Sequence, residues 1–111
     1  MRIAKSREVA FFAEADAIPD IVTTIDEQVL PRFAALPHFL GFVALKSESG
    51  PRAEVVGLSF WASGLEDSEA VSEEFRDEVH RVTGTTPSRK SYDVLRVMVY
   101  DSEGEICVDL P

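Results

Sequence analysis

The sequence predicts an α+β fold of ferredoxin-like βαββαβ order, a four-stranded antiparallel sheet with two helices on one face. Three observations predict it. Two stretches carry apolar residues at helical spacing, strand-like segments flank both, and Gly- and Pro-containing turn signals separate the elements at short intervals. The chain has 111 residues, 45% of them apolar, enough for one packed core and not for two. A single domain over residues 1–111 follows.

The first strand is expected over Glu8–Ala15, "EVAFFAEA", whose apolar and aromatic content suits a sheet. Asp16 and Pro19 then supply helix-start chemistry. From there Ile18, Ile21, Val22, Ile25, Val29, Phe33 and Leu36 recur every three or four residues and form one stripe. Pro31 lacks an amide donor and crowds the carbonyl four residues earlier, so a kink is expected over Asp26–Leu30. Pro37 marks the stop.

The segments "FLGFVALKS" and "AEVVGLSFWAS", joined by the turn residues "SESGPR", read as a hairpin. A second helix is expected from about Leu65 to Val82, with Val71, Phe75, Val79 and Val82 on one face and Asp67 or Ser68 as N-cap. Its acids crowd the first turn and Arg81 lies near the end, as the helix dipole favours. Gly84 suits the C-cap. "SYDVLRVMVYD" alternates most clearly and is expected to be the last sheet strand, with Tyr92, Arg96 and Tyr100 on one side. The tail "SEGEICVDLP" holds a five-residue apolar core with room for one further short strand.

A formal charge of −9 and a pI near 4.6 disfavour nucleic acid and anionic membrane surfaces as partners. No run approaches a membrane span, and the short apolar stretch near Met1 is followed by acids rather than a signal-peptide pattern, so a cytoplasmic location is expected. Cys107 is the single cysteine, which excludes an internal disulfide or a thiolate zinc cluster within one chain. No Gly-rich phosphate loop and no His pair at metal-ligand spacing occurs, and neither a cofactor nor a metal is expected.

Helices on one side leave the other sheet face open. Apolar residues drawn from Phe11 or Phe12, Phe42, Trp61 and Tyr100 are expected there. Hiding even ~600 Å² of apolar surface would contribute on the order of 15 kcal/mol before association costs. A twofold homodimer through that face is therefore expected.

Nearly the whole chain resembles the antibiotic biosynthesis monooxygenase type of dimeric α/β barrel. The stretch "VLPRFAALPHFLGFVAL" is similar to that group's proline-rich junction between first helix and second strand, with His38 where glycine is usual. "LSFWASGLEDSEAVSEEFR" is similar to its tryptophan junction between third strand and second helix. The resemblance implies cofactor-independent oxygenation of a small aromatic or quinone-like compound. Members that oxidise aromatic polyketides pair the strand-end tryptophan with an asparagine four residues earlier; here Trp61 matches and Gly57 does not. Haem-degrading relatives need asparagine, and the sequence has none.

Trp61 offers an aromatic face for a planar ligand or fills the space where strand and helix diverge. His80 is placed as a base near neutral pH or as a half-exposed residue at a helix end. Tyr92 and Tyr100 flank Arg96, a set suited to an anionic or phenolic ligand unless Arg96 pairs with Glu8 or Glu54. Arg76 is expected to pair with Glu73 on the helix surface. Catalytic roles are thus expected for His80 and Arg96, and substrate contacts for Trp61, Tyr92 and Tyr100. The alternative is a non-catalytic homodimeric ligand-binding or interaction module.

Overall fold

The computed structural model of the chain describes residues 3–62 and 69–110. β1 (Lys5–Glu14) leads through a 3-10 turn into α1 (Ile18–Thr24). A π-helical turn, Ile25–Val29, joins α1 to α2 (Leu30–Ala34), and β2 (Phe39–Ser49) and β3 (Arg52–Trp61) follow as a hairpin. α3 (Glu69–Thr83) and β4 (Ser88–Asp93) complete the ferredoxin-like order. The sheet runs β2-β3-β1-β4 with every pairing antiparallel. The N-cap expected at Asp67 or Ser68 lies outside the described residues.

A π turn stands where Pro31 predicts a kink. Without an amide at position 31 the α ladder loses one bond, and the Leu30 N–H reaches back five residues to the Ile25 carbonyl. The stripe still closes onto the sheet: Ile21, Ile25, Val29 and Phe33 are buried, with Ile18 and Leu36 partly so. Val22 departs from the expectation and faces solvent, because it lies at the edge of the stripe. α3 buries Val71, Phe75 and Val79, and packs the Phe75 ring edge-on against Phe11 at 6.3 Å. Gly84 ends it as expected, with φ of 74° and its N–H donated to the His80 carbonyl at 2.8 Å.

Alternation assigns the two sheet faces. Val9, Phe11, Ala13, Ala53, Val55 and Trp61 point to the helices. Register places Phe42 beside Ser59 on that same side. Phe12, Val43, Leu45, Val56, Leu58, Phe60 and Tyr92 therefore fall on the open face, and Phe12, Val43, Leu45 and Tyr92 are exposed there. This corrects the sequence reading: of the residues expected on that face only Phe12 lies on it. Phe11, Phe42 and Trp61 belong to the core, and Tyr100 lies outside this sheet.

The expected last strand is two strands. β4 leaves the sheet after Asp93, and β5 (Val97–Tyr100) pairs with β6 (Ile106–Leu110) in a separate antiparallel ribbon. Leu95, between β4 and β5, is 85% exposed. Cys107 falls in β6, and its side chain lies outside the described residues.

His38 stands where the resemblance leads one to expect glycine, and its φ is +69°. An L residue pays for this left-handed conformation, while glycine adopts it freely at some cost in unfolded-chain entropy. The Ala62 N–H bonds the His38 carbonyl at 2.8 Å and holds the turn in place. His38→Gly is expected to raise stability by about 0.5–1 kcal/mol in urea unfolding.

Candidate functional site

Trp61 ends β3 fully enclosed, at 0% exposure. Phe33 meets it edge-on with ring centroids 5.3 Å apart, and Phe39 does so at the same separation. Its indole N–H donates to Ser59 Oγ at 2.9 Å, so the one polar atom of the ring is satisfied within its own strand. Gly57 lies two residues before Ser59 on the same face. A Cβ built on it would meet the Phe42 ring tip at 3.1 Å, so Phe42 occupies the space that an asparagine side chain at this position would need. The tryptophan junction is thus a packed aromatic box.

The other four residues singled out in the sequence lie elsewhere. His80 is exposed near the end of α3, with Nδ1 3.5 Å from Thr86 Oγ1. Tyr92 is on the open face of β4, where Lys90 Nζ sits 5.3 Å from its ring centroid. Arg96 and Tyr100 belong to the segment beyond the sheet; both are exposed, and an Arg96 Nη2 lies 3.9 Å from Met98 Sδ. The sheet separates Trp61 from Tyr92, and Tyr100 belongs to the separate β5–β6 ribbon. Arg76 does not pair with Glu73: it is partly buried and its Nη2 approaches the Pro87 carbonyl at 3.5 Å.

Two other places concentrate chemistry. The first is a half-open cleft of about 360 Å³ between the α1–α2 rod and α3. Its floor is apolar, from Val29, Val71 and Phe75, all of them core residues. Ion pairs stand on its rim: Arg32 with Glu74, whose Nη2 and Oε1 are 2.9 Å apart, and Arg81 with Glu78, whose Nε and Oε1 are 3.1 Å apart. The Arg81 guanidinium holds the Glu78 carboxyl below its ordinary range, chiefly by hydrogen bonding; burial opposes this and the charge of Arg81 adds to it. Asp77 also lines the cleft and pairs with no cation among the described residues. The π turn contributes Gln28 and Val29 to the wall, which puts the Pro31 irregularity at the site.

The second is a polar cluster on the opposite flank of α3. Arg7, on the interior strand β1, points toward the helices, with a side chain only 7% exposed. Its Nη1 is 2.8 Å from Glu69 Oε2, and Arg89 Nη1 is 2.6 Å from Glu69 Oε1. Arg7 first and Arg89 second hold the Glu69 carboxyl below its ordinary range. The sequence carries a signal for this residue that the site reading passed over: a cation in phase with the buried Val9, Phe11 and Ala13. The cleft had no comparable signal, since it depends on how two helices meet.

No family model matches the chain, and no curated protein matches it. Solved structures do. A monooxygenase from the gene ActVA-Orf6 of Streptomyces coelicolor, crystallised in complex with nanaomycin D, is 17% identical over 90% of this chain and 95% of its own, with a TM-score of 0.67. A nipsnap family protein of unknown function from Agrobacterium tumefaciens is 16% identical, with 84% and 89% covered and a TM-score of 0.55. A protein of unknown function from Nitrosomonas europaea is 14% identical, with 92% and 100% covered and a TM-score of 0.57. The chain shares the fold of these proteins over nearly its full described length. Among the described residues no helix is long and apolar enough to cross a membrane.

Proposed function

We propose that the chain is a homodimeric, cofactor-independent monooxygenase of the antibiotic biosynthesis type, acting on a small electron-rich aromatic or quinone-like compound. The observation that carries this is the cleft: about 360 Å³, with an apolar floor and a charged rim, is within the range of small-molecule sites. The fold shared with a monooxygenase that was crystallised with nanaomycin D supports the substrate class by analogy.

The chemistry needs little from the protein. A ring-activated methylene loses a proton to a base, and its carbanion transfers an electron to O₂. The radical pair then joins into a peroxide, which loses water to leave a carbonyl. Two C–H bonds are oxidised, one oxygen atom enters the product and the other leaves as water, so no outside reductant is consumed. Asp77, the rim carboxylate without a cationic partner among the described residues, is the proton acceptor in this scheme; Phe75 and Val71 seat the ring.

One observation favours the second reading, a ligand-binding module without turnover: the space beside Gly57 is filled by Phe42, and no amide stands there to hold an oxyanion. Oxygen uptake with an anthrone separates the two. The oxygenase reading expects one O₂ consumed per carbonyl formed, and a loss of at least about 100-fold in turnover for Asp77→Asn with binding retained. Saturable anthrone binding with no uptake by the wild type supports the module instead.

A further inference from the structure

The α1–α2 rod keeps its rows of side chains straighter than a regular α-helix can. At 3.6 residues per turn each step of four overshoots a full turn by about 40°, so a row spaced by four winds off its face by about 120° in three steps. Ile21, Ile25, Val29 and Phe33 have that spacing, and all four are buried. The wider π turn over Ile25–Val29 takes up the drift. The neighbouring row, Thr24, Gln28 and Arg32, has the same spacing and the same alignment, and all three line the cleft.

The two walls of that cleft are unlike. Among the described residues α3 presents Glu74, Asp77 and Glu78 against one cation, Arg81, whereas the rod presents Arg32 and no acid. An oxygen that gains negative charge in the cleft is repelled by the α3 wall and is best placed against the rod. Arg32 is already engaged by Glu74. Gln28 stands between Thr24 and Arg32 in the row; its amide makes no hydrogen bond among the described residues and offers two N–H donors.

We infer that Gln28 is a catalytic residue of the cleft, donating an amide N–H to the substrate carbonyl oxygen on which charge collects when Asp77 takes the methylene proton. The proton passes from carbon to the Asp77 carboxylate, and the C–H electron pair moves through the conjugated ring to the carbonyl oxygen, so the step needs no outside oxidant or reductant. Gln28 and Asp77 belong to opposite walls, which fixes the substrate's orientation: ring on Phe75 and Val71, methylene toward α3, carbonyl toward the rod. This rests on the oxygenase reading of the cleft and supplies the amide that the filled space beside Gly57 lacks.

Two measurements on the full chain with anthrone test this. The first is a spectrophotometric pH titration of bound anthrone under nitrogen, where no turnover occurs. Gln28→Leu, at an exposed position where the fold should persist, is expected to raise the pH at which bound anthrone ionises by about one unit, since a hydrogen bond to the charged form is lost. Gln28→Glu keeps the shape, replaces the donor by an anion, and is expected to raise it further. The second is oxygen uptake in air, where Gln28→Leu is expected to lower kcat at least about tenfold and leave KM nearly unchanged, a split that a merely structural side chain would not produce. Folded Gln28→Leu protein with wild-type ionisation and wild-type kcat overturns the inference and leaves the oxygenase reading standing. A wild type that binds anthrone and shifts its ionisation through Gln28, yet takes up no oxygen, upholds the anion site and overturns the oxygenase reading. Anthrone that does not saturate the wild type overturns both.

Discussion

Trp61→Ala is expected to lower the unfolding free energy by about 3–5 kcal/mol, as for other large-to-small changes of a buried aromatic. For a domain of this size the whole stability is about 5–15 kcal/mol, so the variant should be marginal at 37 °C. The cost has three sources. The ring is wholly enclosed and its entire area returns to water or to a void. Phe33 and Phe39 lose the edge-on partner on which both converge. Ser59 Oγ loses the N–H that it accepts, leaving a buried hydroxyl whose remaining protein contact is a long 3.5 Å bond to the Arg7 carbonyl. Trp61→Phe keeps most of the ring and should cost less than half as much. Urea unfolding followed by far-UV circular dichroism measures both, since the only tryptophan fluorophore is the residue removed. A loss below about 1 kcal/mol for the alanine variant would mean that Trp61 faces a preformed space, and so lines a ligand chamber.

The enclosure of Trp61 takes it off the open face where the sequence placed it, and the reason is local. β3 is apolar on both faces: Val55 and Trp61 alternate with Val56, Leu58 and Phe60. Period-two alternation shows that two faces exist without saying which one meets the helices; only register against β1 and β2 decides it. The helices were legible because each has a single apolar stripe, and the π turn was legible because proline removes a specific hydrogen bond. The division of the last strand was not, since Tyr92 through Tyr100 keep one alternation while the backbone leaves the sheet at Val94. Alternation follows side chains, and what changed there was the hydrogen-bonding partner. Arg7 is the converse case. Its position in a buried series was visible, but its significance needed the helix that covers it and the Glu69 carboxylate that reaches it.

Leu58→Asp is expected to dissociate the proposed homodimer. Leu58 stands near the middle of the open face, opposite Val43 on one neighbouring strand and Glu8 on the other. The exposed Phe12, Val43, Leu45 and Tyr92 surround a strip of half-buried Val56, Leu58 and Phe60, an apolar surface of the kind that association covers. In a twofold interface a central residue meets the same region of its partner, so one substitution acts twice. Each new aspartate would sit beside a Glu8, bringing four carboxylates toward one desolvated centre. Truncating or opposing charges in such a place costs about 2–5 kcal/mol, which raises the dissociation constant by roughly 30- to 5,000-fold. Sedimentation at micromolar concentration should show the wild type at twice the 12.3 kDa chain mass and Leu58→Asp at 12.3 kDa. Val22→Asp, on the outward side of α1 with 47% exposure, should leave the dimer intact and controls for added charge alone. If Leu58→Asp stays dimeric, the subunits associate through another surface, and the open face must be covered in some other way.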